Sequence, residues 1–471
     1  MTRTKRIWIK NAMAIAVMDD ARTVYRDADI LVDGPVVTAV GPKLDVTDAD
    51  EVWDASGKVV LPGFVNTHHH LYQTLCRAIP RVEDVKLFDW LVDLYEVWRH
   101  LTPEAIHVSA LVGMGEMLLT GATTTSDHFY VFPKDLPGDL LDRTVEAAAT
   151  IGMRFVVCRG SMSRGRSRGG LPPDDVVQDE STILADSERL ISRYHDPNPL
   201  AMCQVALAPC SPFSVTPELM RDTAALARRA GVRLHTHLAE TLDENQYCLE
   251  THGVRPLAFM EQVGWLGPDV WYAHGVHYTD EEIALLAQTG TGVAHCPGSN
   301  LRLGSGIARV PEMTQAGVPV GLAVDGSASN DASDMLSEIR TAMLVHRVGT
   351  GVGSMSAMDA LWLATRGSAK VLGRDDIGSL EPGKAADLVL WDMDDIAYAG
   401  GLHDPVGALV FCNARRRADR VMVHGQVVVR DGRIVRIDES EVTARHNELA
   451  AKMLDAACAE TGIDYRRPRT A

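Results

Sequence analysis

Short apolar runs closed by turn residues open the chain. Ile7-Trp8-Ile9 is the first, and Ile30-Leu31-Val32 is separated from Val36-Val37-Thr38-Ala39-Val40 by Asp33-Gly34. An Asp-Gly pair between two such runs is a hairpin signal. The same texture returns late, in Ala386–Trp391, Arg420–Gly425 and Gln426–Gly432. Strands this short are hard to stabilise alone, which favours pairing the two chain ends into one small β-domain. That domain is expected to take residues 1–61 and 373–437, with 438–471 as a C-terminal helical extension.

Between them, over residues 62–372, strand-like and helix-like segments alternate. Strand-like runs end near His70, Asp127, Ser161, Ser211, Glu240, His274, Ser299 and Asp325. Helical patterns fill the gaps. Thr102-Pro103-Glu104 opens one that stops at Gly121, and Thr216-Pro217-Glu218 opens another that stops at Gly231. A capping threonine, a proline in the first turn and a closing glycine mark both. Eight such units predict an α/β fold with a (β/α)8 TIM-like barrel, joined to a small β-sandwich domain built from both chain ends. A doubly wound sheet would place a glycine-rich phosphate turn after its first strand, where this chain has histidines.

Those histidines end the run Val59-Val60-Leu61-Pro62-Gly63-Phe64-Val65-Asn66-Thr67-His68-His69-His70, which reads as one buried strand with a polar tip. Alternation along a strand sends His68 and His70 one way and His69 the other. Other barrel strand ends carry related chemistry. His235 and His237 share a face of the fifth strand, with His237 nearer the mouth, and Glu240 follows just past it. His274 ends the sixth strand and Asp325 the eighth. Each has a plainer role: Asp325 before Gly326 as a turn residue, His274 as a core histidine, Glu240 as a charge at a helix start. Together they place metal-compatible groups at four strand ends. Three neutral imidazoles and a carboxylate suit zinc or ferrous iron and leave a position for water, whose pKa the ion lowers toward neutrality.

Composition narrows the class further. The 471 residues are 46% apolar and 23% charged, as in a globular protein with a sizeable core. A net charge of −17 argues against a nucleic-acid polymer or an anionic membrane as partner. The eight cysteines include no CxxC pair and do not read as a disulfide framework, which points to a reducing cytoplasm. Lys10 and Asn11 interrupt the apolar stretch from Ile7 to Met18, so it fits a strand better than a signal peptide.

With these motifs in place, the sequence resembles the amidohydrolase superfamily in its branch of mononuclear aminohydrolases. The likeness rests on Pro62–His70, His235–Glu240, Ala273-His274-Gly275, His295–Asn300, Asp325–Asn330 and the late segment Gly378–Leu388. It implies His68, His70, His237 and Asp325 as metal ligands, and Glu240, His274 and Asp325 as the catalytic groups. Binuclear members carry a carboxylated lysine on the fourth strand. Cys203–Cys210 has no lysine, so one divalent ion is expected, zinc first and iron second. A closer likeness, in His68–Leu75, Cys158–Ser163 and Ala208–Thr216, is to deaminases of a free purine base. It implies 8-oxoguanine as substrate, hydrolysed to urate and ammonia. The alternatives are triazine aminohydrolases or chlorohydrolases, then guanine or isocytosine deaminases. Gln73, Arg159, Cys210 and Ser211 are the expected substrate contacts, and Leu87–Trp90 the expected lid. The expected partner is a small heterocycle, and a homo-oligomer is compatible with everything above.

Overall fold

The computed structural model describes residues 5–413 and 417–469. Strands β1 (Arg6–Ala16), β2 (Val24–Asp33), β3 (Val36–Pro42), β4 (Glu51–Asp54) and β5 (Lys58–Pro62) precede a barrel. The barrel strands are β6 (Phe64–Asn66), β7 (Ala122–Phe129), β8 (Arg154–Ser161), β9 (Cys203–Pro209), β10 (Arg233–Leu238), β11 (Val270–His274), β12 (Gly292–His295) and β13 (Val320–Leu322). The chain then returns to the first sheet through β14 (Leu388–Asp392), β15 (Arg420–Val423), β16 (Gln426–Arg430) and β17 (Arg433–Ile434).

Strands β6 to β13 pair in chain order and in parallel, with helices between most of them, which is a (β/α)8 barrel. The seam between β13 and β6 closes at the mouth. Thr67 N donates to Leu322 O at 3.2 Å, Val324 N to Asn66 Oδ1 at 2.9 Å and Asp325 N to His68 O at 3.2 Å. Caps expected from sequence are made. Thr102 accepts from Ala105 N ahead of the helix Pro103–Leu119, and Thr216 accepts from Leu219 N ahead of Pro217–Ala230.

The other strands form one mixed nine-stranded sheet from both chain ends. It curls on itself: Val37 N of β3 donates to Lys384 O, just ahead of β14, at 2.9 Å. Ile7, Ile9, Ile30, Val32, Trp53, Leu388 and Met422 pack inside that curl as a core separate from the barrel's. The helix Glu439–Thr461, capped by Asp438, then packs on Pro103–Leu119.

One expectation is corrected. Val59–His70 is two strands in two sheets, not one strand. β5 pairs antiparallel with β14, whereas β6 pairs with β7. Gly63 is the crossing point. Its backbone passes so close to Thr123 that an added Cβ would lie 2.1 Å from that side chain. The three histidines sit beyond β6, so strand alternation does not aim them.

The two bodies are also joined by a buried ion pair. Arg154, at the start of β8, donates through Nε and Nη2 to Asp387 at 2.8 and 3.0 Å, and through Nη1 to Leu200 O and Ala201 O. Asp387 Oδ1 also accepts from His424 N at 2.7 Å. With both groups buried, losing one leaves the other charged and unpaired. Asp387→Ala is therefore expected to lower stability by about 3–5 kcal/mol, read as an earlier urea midpoint, while Asp222→Ala, exposed on the helix Pro217–Ala230, leaves the midpoint in place.

Candidate metal centre and active site

The hydrogen bonds made by each imidazole's inner nitrogen decide what its outer nitrogen can do. His70 Nδ1 lies 2.6 Å from His128 O, and His237 Nδ1 lies 2.6 Å from Cys210 O. Carbonyls only accept, so both Nδ1 atoms carry the proton and both Nε2 atoms are bare lone pairs. Those two lone pairs face each other at 3.1 Å. For His68 the relay is longer. His235 Nδ1 donates to Trp271 O at 3.0 Å, so His235 Nε2 accepts from His68 Nδ1 at 2.7 Å. His68 Nε2 is thereby deprotonated, buried and without a hydrogen-bond partner.

Asp325 supplies the negative charge. Its Oδ1 lies 3.2 Å from His68 Nε2 and 3.3 Å from His70 Nε2. Burial pushes His68, His70 and His237 below the ordinary imidazole value, which favours their neutral forms. Three lone pairs and a carboxylate converging in a dry site repel one another until a cation sits among them. Residues His68, His70, His237 and Asp325 fit a divalent metal on that ground.

Glu240 and His274 stand beside this set. Glu240 follows the end of β10 and His274 is the last residue of β11, and both turns are tight: Ala239 and His274 have φ of 55° and 74°. The Ala239 and Glu240 amides donate to the Glu244 carboxylate at 3.1 and 2.9 Å, which pins the turn and hangs Glu240 over the mouth. Burial raises the Glu240 pKa. His274 Nδ1 lies 2.9 Å from Asn300 Oδ1, an acceptor, which leaves Nε2 facing Glu240 at 3.6 Å and Asp325 at 3.9 Å. Burial lowers its pKa, but those two carboxylates outweigh it and the net shift is upward. The arrangement can hold a proton between Glu240 and His274 and pass it to a bound molecule.

A cavity opens over these groups, lined by Gln73, Cys210, Ser211 and Ser329 and walled by Leu87, Trp90, Leu91, Phe213 and Leu303. Gln73 sits on the turn Leu71–Cys76, lines the cavity and accepts from Ala328 N at 3.4 Å. Gly326 makes room for it, since a Cβ there would lie 1.9 Å from Gln73 Oε1. Burial lifts the Cys210 thiol to about 12, so it meets a ligand as a neutral group. From the expected lid, Leu87 and Trp90 line the cavity, the Phe88 ring packs at a tilt against Phe213 with centroids 5.1 Å apart, and Asp89 faces Arg469.

Arg159 does not reach the cavity, which corrects its expected role. It shares strand parity with Phe155 and Val157, which pack outside the barrel, whereas Val156 and Cys158 fill the inside. Its guanidinium donates to Asp186 and Gln178 at 3.0 and 2.8 Å. Sequence reasoning also left out Glu244, Asn300, Ser329 and His128. Glu244, four residues past Glu240, carried a signal in its spacing. His69 is buried against Ser333 Oγ at 2.9 Å, away from the metal-compatible set.

The chain is similar to known proteins over nearly its whole length. The amidohydrolase family model matches residues 59–428. A Pseudomonas aeruginosa protein named 8-oxoguanine deaminase is 49% identical over 450 residues, covering 95% of this chain and 99% of that one. Hydroxydechloroatrazine ethylaminohydrolase of a Pseudomonas species is 38% identical, covering 90% of this chain and 91% of that one. The solved structure of atrazine chlorohydrolase from Arthrobacter aurescens, complexed with zinc, superposes with a TM-score of 0.91 at 37% identity, covering 94% of this chain and 100% of that one. Among the described residues no helix is long and apolar enough to cross a membrane.

If the converging lone pairs are a metal site, His237→Ala should retain metal at least about tenfold more weakly than the parent, by elemental analysis after dialysis against graded chelator. His69→Gln should retain it normally. Equal retention in the parent and His237→Ala would overturn the assignment.

Proposed function

From its membership of the amidohydrolase family, to which the chain belongs, we propose that this enzyme hydrolytically deaminates a free purine base. The base is 8-oxoguanine and the products are urate and ammonia. The observation that carries the substrate is the 49% identity, over 95% of the chain, to the protein named 8-oxoguanine deaminase. The cavity is consistent with it, having apolar walls suited to a flat heterocycle and few polar groups to orient one.

A single divalent cation held by His68, His70, His237 and Asp325, zinc first and iron second, would make hydroxide available near neutral pH. The chain's own groups do the rest. Asp325 accepts the proton of the attacking water. Glu240, whose pKa burial raises, gives a proton to a ring nitrogen as carbon 2 becomes tetrahedral and, recharged with the proton that Asp325 took from the water, later gives one to the departing amine. His274, fixed by Asn300, steadies the charge that develops on the attacking oxygen. Gln73 orients the base through its side-chain amide, with Cys210 and Ser211 as weaker contacts. The apolar helix face of Leu87, Trp90 and Leu91 keeps bulk water out.

A triazine substrate is the second reading, favoured by the zinc-bound atrazine chlorohydrolase structure. Such rings are also flat, and attack also falls on a carbon bearing a leaving group. Release of ammonia from 8-oxoguanine, guanine, isocytosine and aminated triazines, and of chloride from chlorinated ones, separates the two. The expected result is turnover of 8-oxoguanine with the highest kcat/KM. Failure on 8-oxoguanine with good turnover of a triazine would replace the first reading by the second.

Two variants test the residue roles. Glu240→Gln should keep its metal and lose about 10²–10⁴-fold in kcat, as removal of a general acid does. Gln73→Ala should raise KM about tenfold or more with metal content unchanged, because a buried polar group of the base loses its partner.

A further inference from the structure

Below the metal-compatible set lies a fourth imidazole that none of the roles above uses. His128, the penultimate residue of β7, is fully buried. Its Nε2 lies 2.7 Å from Ala208 O, so Nε2 carries the proton and Nδ1 is a bare lone pair. That Nδ1 is buried and has no hydrogen-bond partner. A buried acceptor left unpaired costs about 1–3 kcal/mol, so it calls for a ligand. The His128 ring stacks on His237 with centroids 4.8 Å apart and sits 5.4 Å from His70 and 5.7 Å from His68. One ring nitrogen from each of His68, His70, His128 and His237 lies within 4.8 Å of the others.

We propose that these four histidines form a second, inner metal position, with His128 taking the place of Asp325, and that it accepts a nitrogen-preferring divalent cation such as Cu2+. The proposal rests on the reading of His68, His70 and His237 as ligands. Metal–nitrogen bonds of about 2 Å set donors about 3–4 Å apart, so small ring movements close the set. Four neutral imidazoles without a carboxylate match Cu2+, whose affinity for nitrogen sites exceeds that of Zn2+ in the divalent series. The two positions share three histidines and exclude each other. An ion in the inner one leaves Asp325 out of its donor set and lies deeper than the cavity lined by Glu240 and His274. Cu2+ therefore inhibits by occupying the wrong end of a shared site.

The test uses the full-length protein, stripped with a chelator and given one equivalent of Cu2+. The electron paramagnetic resonance spectrum should show four coordinated nitrogens. His128→Gln keeps an amide N–H near the Nε2 position, and with it a donor to Ala208 O, while removing the Nδ1 lone pair. It should lose one nitrogen from the spectrum, bind Cu2+ at least about tenfold more weakly, and keep its Zn2+ affinity. His128→Asn, which restores an acceptor near Nδ1, should recover part of the Cu2+ affinity. Parent-like Cu2+ binding and spectrum in folded His128→Gln would overturn the inner position, and so would an equal loss of Zn2+ and Cu2+, which marks a structural role. If His237→Ala also left Cu2+ binding unchanged, the underlying metal reading would fail instead.

Discussion

The barrel mouth is built around lone pairs that no proton can satisfy. His70 and His237 each spend their N–H on a backbone carbonyl, and His68 spends its own on His235, so the three Nε2 atoms have only acceptor character. Burial keeps them from taking up protons. Asp325 adds negative charge at 3.2–3.3 Å from two of them. The sum is a pocket that is electrostatically unfavourable as bare protein and favourable around a divalent ion, so ion binding and local stability are linked.

That site is assembled by the same contacts that close the barrel. Asp325 N donates to His68 O, and Val324 N to Asn66 Oδ1, so the first and last strands meet where the first and last metal-compatible residues stand. Asp325 makes this turn at φ 62°, a conformation that costs energy outside glycine. It is held there by the seam and by Ser329 Oγ, which donates to Oδ2 at 3.0 Å. The second sheet reaches the same place from below. β5 is gripped by β14 and runs straight through Gly63 into β6, while Arg154 and Asp387 lock the two bodies beneath. The position of His68 and His70 is thus set from both sheets.

Periodicity and turn chemistry made the barrel legible, because eight strand–helix units with threonine caps and closing glycines leave few other architectures. The residues at strand tips were legible for the same reason, since histidine and carboxylate at the ends of buried apolar runs have few plain uses. What escaped was whatever depends on direction rather than position. Arg159 lies at the right level of the barrel but on the outer face, and only the parity of Val156 and Cys158 inside the barrel reveals it. The break at Gly63 was hidden because two buried strands in different sheets read as one apolar run. His128 sat inside Ser126-Asp127-His128-Phe129 without a second histidine at metal-ligand spacing, so no local pattern marked it. Glu244 and Asn300 act by holding other residues, and such support leaves little trace in a single sequence.

The division of labour across the mouth explains why relatives with different named substrates share so much of this chain. Groups suited to hydrolysis sit on or just past strand ends, where the sheet and its seam fix them within a hydrogen bond's tolerance. Groups that line the rest of the cavity sit on the turn Leu71–Cys76, on the helix Leu87–Trp98 and on the loop carrying Cys210 and Phe213. Those segments can change shape or side chain without moving a strand. A substitution at Gln73 alters the polar group presented to the cavity, and one at Leu87, Trp90 or Phe213 alters the thickness and width of the slot. Gly326 ties the two parts together at one point, since its missing side chain is what lets Gln73 lie against the turn that carries Asp325. A larger residue there would meet the end of the flexible Gln73 side chain and displace it, so a change beside Asp325 would reach the cavity through Gln73.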